Sequence, residues 1–116
     1  STPMNLFSGT LIKKDERVLL QTPDFSIVLA KQTLQKLKNL TSSNVTFGVR
    51  PEDIQLLPEG HGHWNVHIDV IENIGSEYLC YVFMKHGKIV IKTKDRPTAD
   101  RASLSFSTDK VHVFPE

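Results

Sequence analysis

A chain of 116 residues holds one domain, or two small barrels sharing a core, and is long enough to bury that core. Its apolar share of 39% and charged share of 23% are ordinary for a globular protein, and 14 basic residues against 13 acidic ones advertise neither nucleic acid nor a membrane surface. No stretch nears the roughly 20 apolar residues of a membrane span, no basic-then-apolar N-terminal signal is present, and the single Cys80 excludes an internal disulfide, all of which fit a reducing, cytoplasmic setting. The chain opens Ser1-Thr2-Pro3 without an initiator methionine, as an excised piece of a longer protein would.

Leu6 to Ile12 predicts a first strand with Phe7, Gly9 and Leu11 on one face, ended by the polar turn Lys13-Lys14-Asp15-Glu16. Val18-Leu19-Leu20 follows, then a turn at Thr22-Pro23-Asp24 and a third strand in which Phe25, Ile27 and Leu29 share a face. Between Lys31 and Leu40 the period changes: Leu34, Leu37 and Leu40 recur at helical spacing, which predicts one short amphipathic helix. After the loop Thr41 to Asn44 comes the stretch Val45 to Ile54. Val45, Phe47 and Val49 alternate with Thr46 and Gly48, and Pro51 stops the pairing while biasing Arg50 away from helix. Glu52 and Asp53 are placed to accept backbone N–H groups of that corner, and Ile54 to Leu57 resumes an extended run.

Past Pro58 to Gly62 the alternation is cleanest, with Trp64, Val66, Ile68 and Val70 expected on one face and Asn65, His67 and Asp69 on the other. Gly75 marks a turn or bulge where a side chain would obstruct. Tyr78 to Met84 is apolar on both faces, as in a central strand, and a hairpin at His86-Gly87 leads into Lys88 to Lys92. A polar loop from Lys94 to Ala102 precedes a strand bearing Leu104 and Phe106, and Val111 to Phe114 closes the chain. Nine or ten short strands, one helix and turn signals every 8–12 residues or so argue an all-β sandwich or barrel and exclude a parallel α/β sheet.

Gly48-Val49-Arg50-Pro51-Glu52-Asp53-Ile54 resembles the G-[VIL]-R-P-E-D/H signature in the C-terminal regulatory region of ATP-binding subunits of maltose-type, carbohydrate-import ABC transporters. Three more stretches match in order: Pro3 to Phe7 resembles P-x-M-N-F, Val70 to Glu77 resembles V-x-E-x-x-G-x-E, and Asp109 to Phe114 resembles x-x-V-H-L-F. The resemblance implies an OB-fold-like barrel of the transport-associated (TOBE) type spanning residues 1–116, with no cofactor. It implies a regulatory role in which two copies pack together as a homodimer and tether two ATPase domains. Those absent ATPase domains would meet the membrane subunits, at the inner face of the cell membrane, and a regulatory protein could dock on the domain. The family's mark falls on Gly48, Arg50, Pro51, Glu52, Asp53 and Gly75. Asn73-Ile74 and the helix-bearing Lys31 to Asn44 depart from the pattern.

Catalysis finds no foothold in the residues. There is no G-x-x-x-x-G-K-[ST] loop to cradle phosphates, no Leu-Ser-Gly-Gly-Gln-like stretch and no G-x-S-x-G elbow, so ATP turnover would belong to the parent protein. Arg50 with Glu52 and Asp53 either braces its corner by Arg–carboxylate pairing or offers charge to a partner. His61, His63 and His67 lack the ligand number zinc needs and read as solvated histidines. Lys85, Lys88, Lys92, Lys94, Arg96 and Arg101 lie near Tyr78, Tyr81 and Phe83, as on barrel faces that bind single strands, but those aromatics read as core and no nucleic acid is expected. Oxyanion binding, as in related transport-associated domains, is the alternative, with Ser76 and Lys88 as candidate donors.

Overall fold

Phe7, Gly9 and Leu11 alternate with exposed neighbours, and this half-buried pattern makes β1 (Asn5–Lys14) the ten-residue spine of the computed structural model, which describes residues 2–38 and 42–115. β1 turns at Asp15-Glu16, with Asp15 at φ 57°, into β2 (Arg17–Gln21), and β2 pairs with β3 (Ser26–Val28). On its other side β1 pairs with β4 (Asn44–Val49), and the last strand, β11 (His112–Pro115), returns to the far edge of β4. The result is an antiparallel five-stranded sheet in the order β11-β4-β1-β2-β3. Phe25, Ile27 and Leu29 are buried, as the alternation predicts.

Two three-stranded sheets complete the fold. One is β5 (Gln55–Leu57), β10 (Arg101–Ser105) and β6 (Trp64–His67), with β10 central. The other is β7 (Val70–Asn73), β8 (Tyr78–Met84) and β9 (Gly87–Thr93), with β8 central, as its two apolar faces predict. One hydrophobic core runs through all three, from Leu20 and Phe47 to Ile89, Ile91 and Leu104. An aromatic chain helps join the first sheet to β6: Phe7 stacks on Phe47 at 5.0 Å, and Phe25 lies flat on Trp64 at 3.9 Å while meeting Phe7 and Phe47 edge-on. Among the described residues the strands number eleven, with one α-helix, α1 (Lys31–Lys36). Among the described residues no helix is long and apolar enough to cross a membrane.

Four expectations are corrected. The strand expected to run unbroken through Val70 changes sheets at Ile68-Asp69, so Ile68 is buried while Val70 is 46% exposed. The reason is hydrogen bonding: Ile68 N–H donates to Asp100 O at 2.6 Å, whereas Asp69 N–H donates to Tyr81 O at 2.8 Å. The β8–β9 hairpin turns at Lys85-His86, with Gly87 already paired to Met84 at φ 150°. The polar loop after Lys94 ends before Arg101, since Ala102 is a buried strand residue. The helix is six residues long, its last turn tightening where Leu37 N–H reaches Leu34 O, and Leu40 lies outside the described residues. Too short to be stable alone, it is held by tertiary bonds: Thr33 Oγ1 donates to Thr108 O, and Ala30 N–H donates to Thr108 Oγ1.

Asn5 ties the first sheet to the third. Its Nδ2 donates to Val90 O at 2.9 Å and to Val49 O at 3.1 Å, and its Oδ1 accepts from Val90 N–H at 2.8 Å. Asn5→Ala leaves these part-buried backbone groups without partners, so we expect a loss of about 2–4 kcal/mol of unfolding free energy in urea titrations, while Thr10→Ala on the exposed face of β1 stays within about 0.5 kcal/mol.

The sheet change has its own lock. Asp69 Oδ2 accepts from Phe83 N–H at 2.7 Å, and Oδ1 lies 3.3 Å from His67 Nδ1. The Phe83 N–H, with His67 adding, holds the Asp69 carboxyl below its ordinary value of 3.8. A carboxyl lowered in the folded state adds stability above its unfolded pKa and loses it as pH falls through the folded one. The gap in melting temperature between the parent and Asp69→Ala should therefore be steady near neutral pH and close below pH 3.8.

Candidate functional site

The corner after β4 is rigid for reasons carried by its own residues. Val45, Phe47 and Val49 fill the core without any exposure, which fixes the strand up to its last residue. Arg50 is extended at ψ 146°, and Pro51 to Asp53 forms one 3₁₀ turn in which Asp53 N–H donates to Arg50 O at 2.9 Å and Ile54 N–H to Pro51 O at 3.4 Å. The Pro51 ring is fully buried, so the corner is pinned by an apolar residue. Arg50 and Glu52 are exposed, and among the described residues neither makes an ion pair. Bracing by Arg50–carboxylate pairing is therefore not how the corner is held. Asp53 faces Lys110 at 3.9 Å, a contact worth little at the surface. Glu52 and Asp53 do not cap the turn either, because the backbone carbonyls take its N–H groups.

The two glycines of the signature positions act differently. Gly48 sits between Leu6 of β1 and His112 of β11, and a Cβ there would strike the Met4 sulfur. Gly75 has open space around it and a φ of +103° in the β7–β8 loop. Backbone conformation, not obstruction, requires glycine at that turn. The structure thus gathers Gly48, Arg50, Pro51, Glu52 and Asp53 at one place and leaves Gly75 on a separate hairpin.

Other candidates are dispersed. His63 Nε2 lies 3.0 Å from Phe106 O, and His67 stands between Asp69 and Asp100 at 3.3 Å each. Among the described residues no three His, Cys, Asp or Glu side chains gather as metal ligands would. Ser76 lies in the β7–β8 loop, beyond the Tyr78 end of β8, while Lys88 pairs with Phe83 toward the other end. About five residues of strand, some 16 Å, separate them, so they do not form one oxyanion site. The basic residues are split likewise. Arg101 pairs with Glu59 at 3.8 Å, Lys88 lies over the Tyr81 ring, and Lys92, Lys94 and Arg96 line a cleft beside β5. Phe83, read from the sequence as core, is 58% exposed because β8 shows one face to solvent there.

Tyr81 donates its hydroxyl proton to Glu72 Oε1 at 2.9 Å, and the carboxylate raises the phenol above its usual pKa. Cys80 is fully buried and burial pushes its thiol up, against a hydrogen bond with Thr93 and the charge of Arg96. A raised thiol pKa disfavours the nucleophilic thiolate, which suits a packing residue.

Sequence reasoning missed a buried knot around Ser103, whose Oγ accepts from Gly62 N–H at 2.7 Å and donates to Trp64 O at 3.2 Å. Next to it His63 N–H donates to Leu104 O at 2.6 Å, and a Cβ on Gly62 would collide with that carbonyl. The signal was a serine between Ala102 and Leu104, where an apolar residue would pack as well unless its hydroxyl were in use.

Comparison with known proteins follows the same outline. The MalK OB fold domain matches residues 2–54 and the TOBE domain matches residues 47–114, the two meeting across the 48–54 corner. A curated relative, the sn-glycerol-3-phosphate import ATP-binding protein UgpC of Brucella abortus, is 29% identical over 97% of this chain and 33% of its own. Another, the uncharacterized ABC transporter ATP-binding protein YcjV of Escherichia coli, is 23% identical over 98% of this chain and 32% of its own. The chain thus spans about a third of the length of the curated relatives it matches. Among solved structures, the cytoplasmic molybdate-binding protein ModG superposes with a TM-score of 0.66 at 14% identity, covering 97% of this chain and 96% of that one, which shows a shared fold. With more than half of its residues matched, the chain belongs to the TOBE domain family.

Proposed function

We propose that this chain is the C-terminal regulatory and dimer-tethering part of the ATP-binding subunit of a carbohydrate-import ABC transporter, without catalytic activity of its own. The observation that carries the reading is the match of nearly the whole chain to one third of ABC transporter ATP-binding subunits. The phosphate loop is not among these 116 residues, so ATP turnover and contact with the membrane subunits fall to the rest of the parent, at the inner face of the membrane. A lasting contact between two copies would make reassembly of the ATP sites intramolecular, raising effective concentration without any new contact at the nucleotide.

The outer face of the five-stranded sheet suits a second copy. Ile12, Leu19 and Val28 stand opposite one another on β1, β2 and β3, and Leu6 and Phe114 extend the apolar surface, Leu6 being 63% exposed. Exposed apolar residues grouped on one face mark an interaction site more than scattered ones do. Arg50 and Glu52, free of ion pairs within the described residues, offer charge to a regulator at the corner.

A second reading rests on the shared fold with ModG: oxyanion binding, at a site other than Ser76 with Lys88. Sedimentation equilibrium and thermal shift separate the two. A concentration-dependent dimer that Ile12→Glu and Val28→Glu convert to a folded monomer, with no molybdate-induced shift, supports tethering. A monomer at every concentration, or dimerisation indifferent to both substitutions, overturns it, and a several-degree rise with molybdate transfers the assignment to anion binding.

A further inference from the structure

A cleft opens where the first sheet meets the third, along the stretch of β1 from Leu6 to Ser8. Two contacts of β1 set its ends. Asn5 bonds to Val90, which brings the tip of the β8–β9 hairpin, His86 to Lys88, to one end. Thr10 pairs with Gln21, which brings the turn Thr22 to Asp24 to the other. The volume of about 370 Å³ is that of a ligand cleft. Phe7 and Met84, both half-buried, give it an apolar lining.

Opposite charges stand at the two ends. Asp24 is half-buried, and among the described residues it makes no ion pair. Its turn is fixed without the carboxylate: Thr22 Oγ1 accepts from Asp24 N–H at 3.2 Å and from Phe25 N–H at 3.0 Å, and Thr22 N–H donates to Phe25 O at 2.8 Å. A partly desolvated carboxylate gains from a cation beside it, and the folded chain brings none into contact. Lys88 makes no ion pair either, its ammonium lying 5.9 Å from the centre of the Tyr81 ring. His86, two residues earlier, brings an imidazole to the same end.

The geometry points to a binding site for a small zwitterion, with an ammonium for Asp24, a carboxylate for Lys88 and an apolar middle for Phe7 and Met84. Charge-assisted hydrogen bonds at both heads are the strong kind. A few polar groups converging over an apolar lining are the usual make-up of a small-molecule cleft. Selectivity follows from the same pair of charges. A molecule with only a carboxylate gains nothing at Asp24, and one with only an amine gains nothing at Lys88. The inference does not rest on dimer tethering, although Leu6 belongs to both surfaces.

Heteronuclear NMR titration tests it with ω-aminobutyrate, ω-aminohexanoate and ω-aminooctanoate, against the simple carboxylates and alkylamines of equal length. At least one of the three should shift the amide signals of Ser8, Asp24 and Lys88 saturably, and bind about tenfold tighter than its single-charge analogues. Asp24→Asn and Lys88→Gln should each weaken that binding about tenfold. Lys13→Gln, at the far end of β1, should leave it unchanged. Neither the Asp24 carboxylate nor the Lys88 ammonium makes an ion pair within the described residues, and the amide spectra of both variants show directly that the fold is kept. No saturable shift with any of the three, equal binding of the single-charge analogues, shifts confined to residues outside the cleft, or indifference to both substitutions each overturns the inference.

Discussion

A single carboxamide does between two sheets what no ladder does. Asn5 presents an acceptor and a donor to Val90 as a neighbouring strand residue would, and spends its second N–H on the carbonyl of Val49. It sits at the start of β1, opposite the last residue of β4, so one side chain joins the spine of the first sheet, the strand before the corner and the edge of β9. The 3₁₀ turn of Pro51 to Asp53 then lies against β9. The exposed charges of Arg50 and Glu52 project from a place that depends on this junction.

That junction also explains how two sequence modules become one body. Residues matched by the two family models overlap only across the corner, yet β11 at the chain's end pairs with β4 of the first portion. Between these portions the core is continuous, and Phe25 on Trp64 crosses the boundary as an apolar counterpart of the Asn5 bridge. A fold closed in this way has no independent halves.

The site shows how charge and fold divide their labour. Pro51, fully buried, and backbone hydrogen bonds hold the corner, so Arg50 and Glu52 are spared from holding it. The same division recurs at Asp69. There a carboxylate does serve the fold, accepting Phe83 N–H where the chain passes from one sheet to another.

Local pattern was enough to show an all-β chain, the inward faces of β1, β3 and β4, the central place of β8, and the stop at Pro51, because side-chain alternation and proline's missing donor act within a few residues. The resemblance of residues 48–54 to a transporter signature was legible for the same reason, being contiguous. Tertiary structure decided the rest. It decided that Asn5 spans sheets, that Ser103 organises Gly62 and Trp64, that α1 leans on Thr108, and that the strand through Ile68 changes partners. Each of these joins groups 39 to 85 residues apart, except the sheet change, which depends on which distant carbonyl, Asp100 or Tyr81, a given N–H meets. Periodicity carries no information about partners at such separations, since any buried donor is satisfied equally well by whichever acceptor the folded chain brings near.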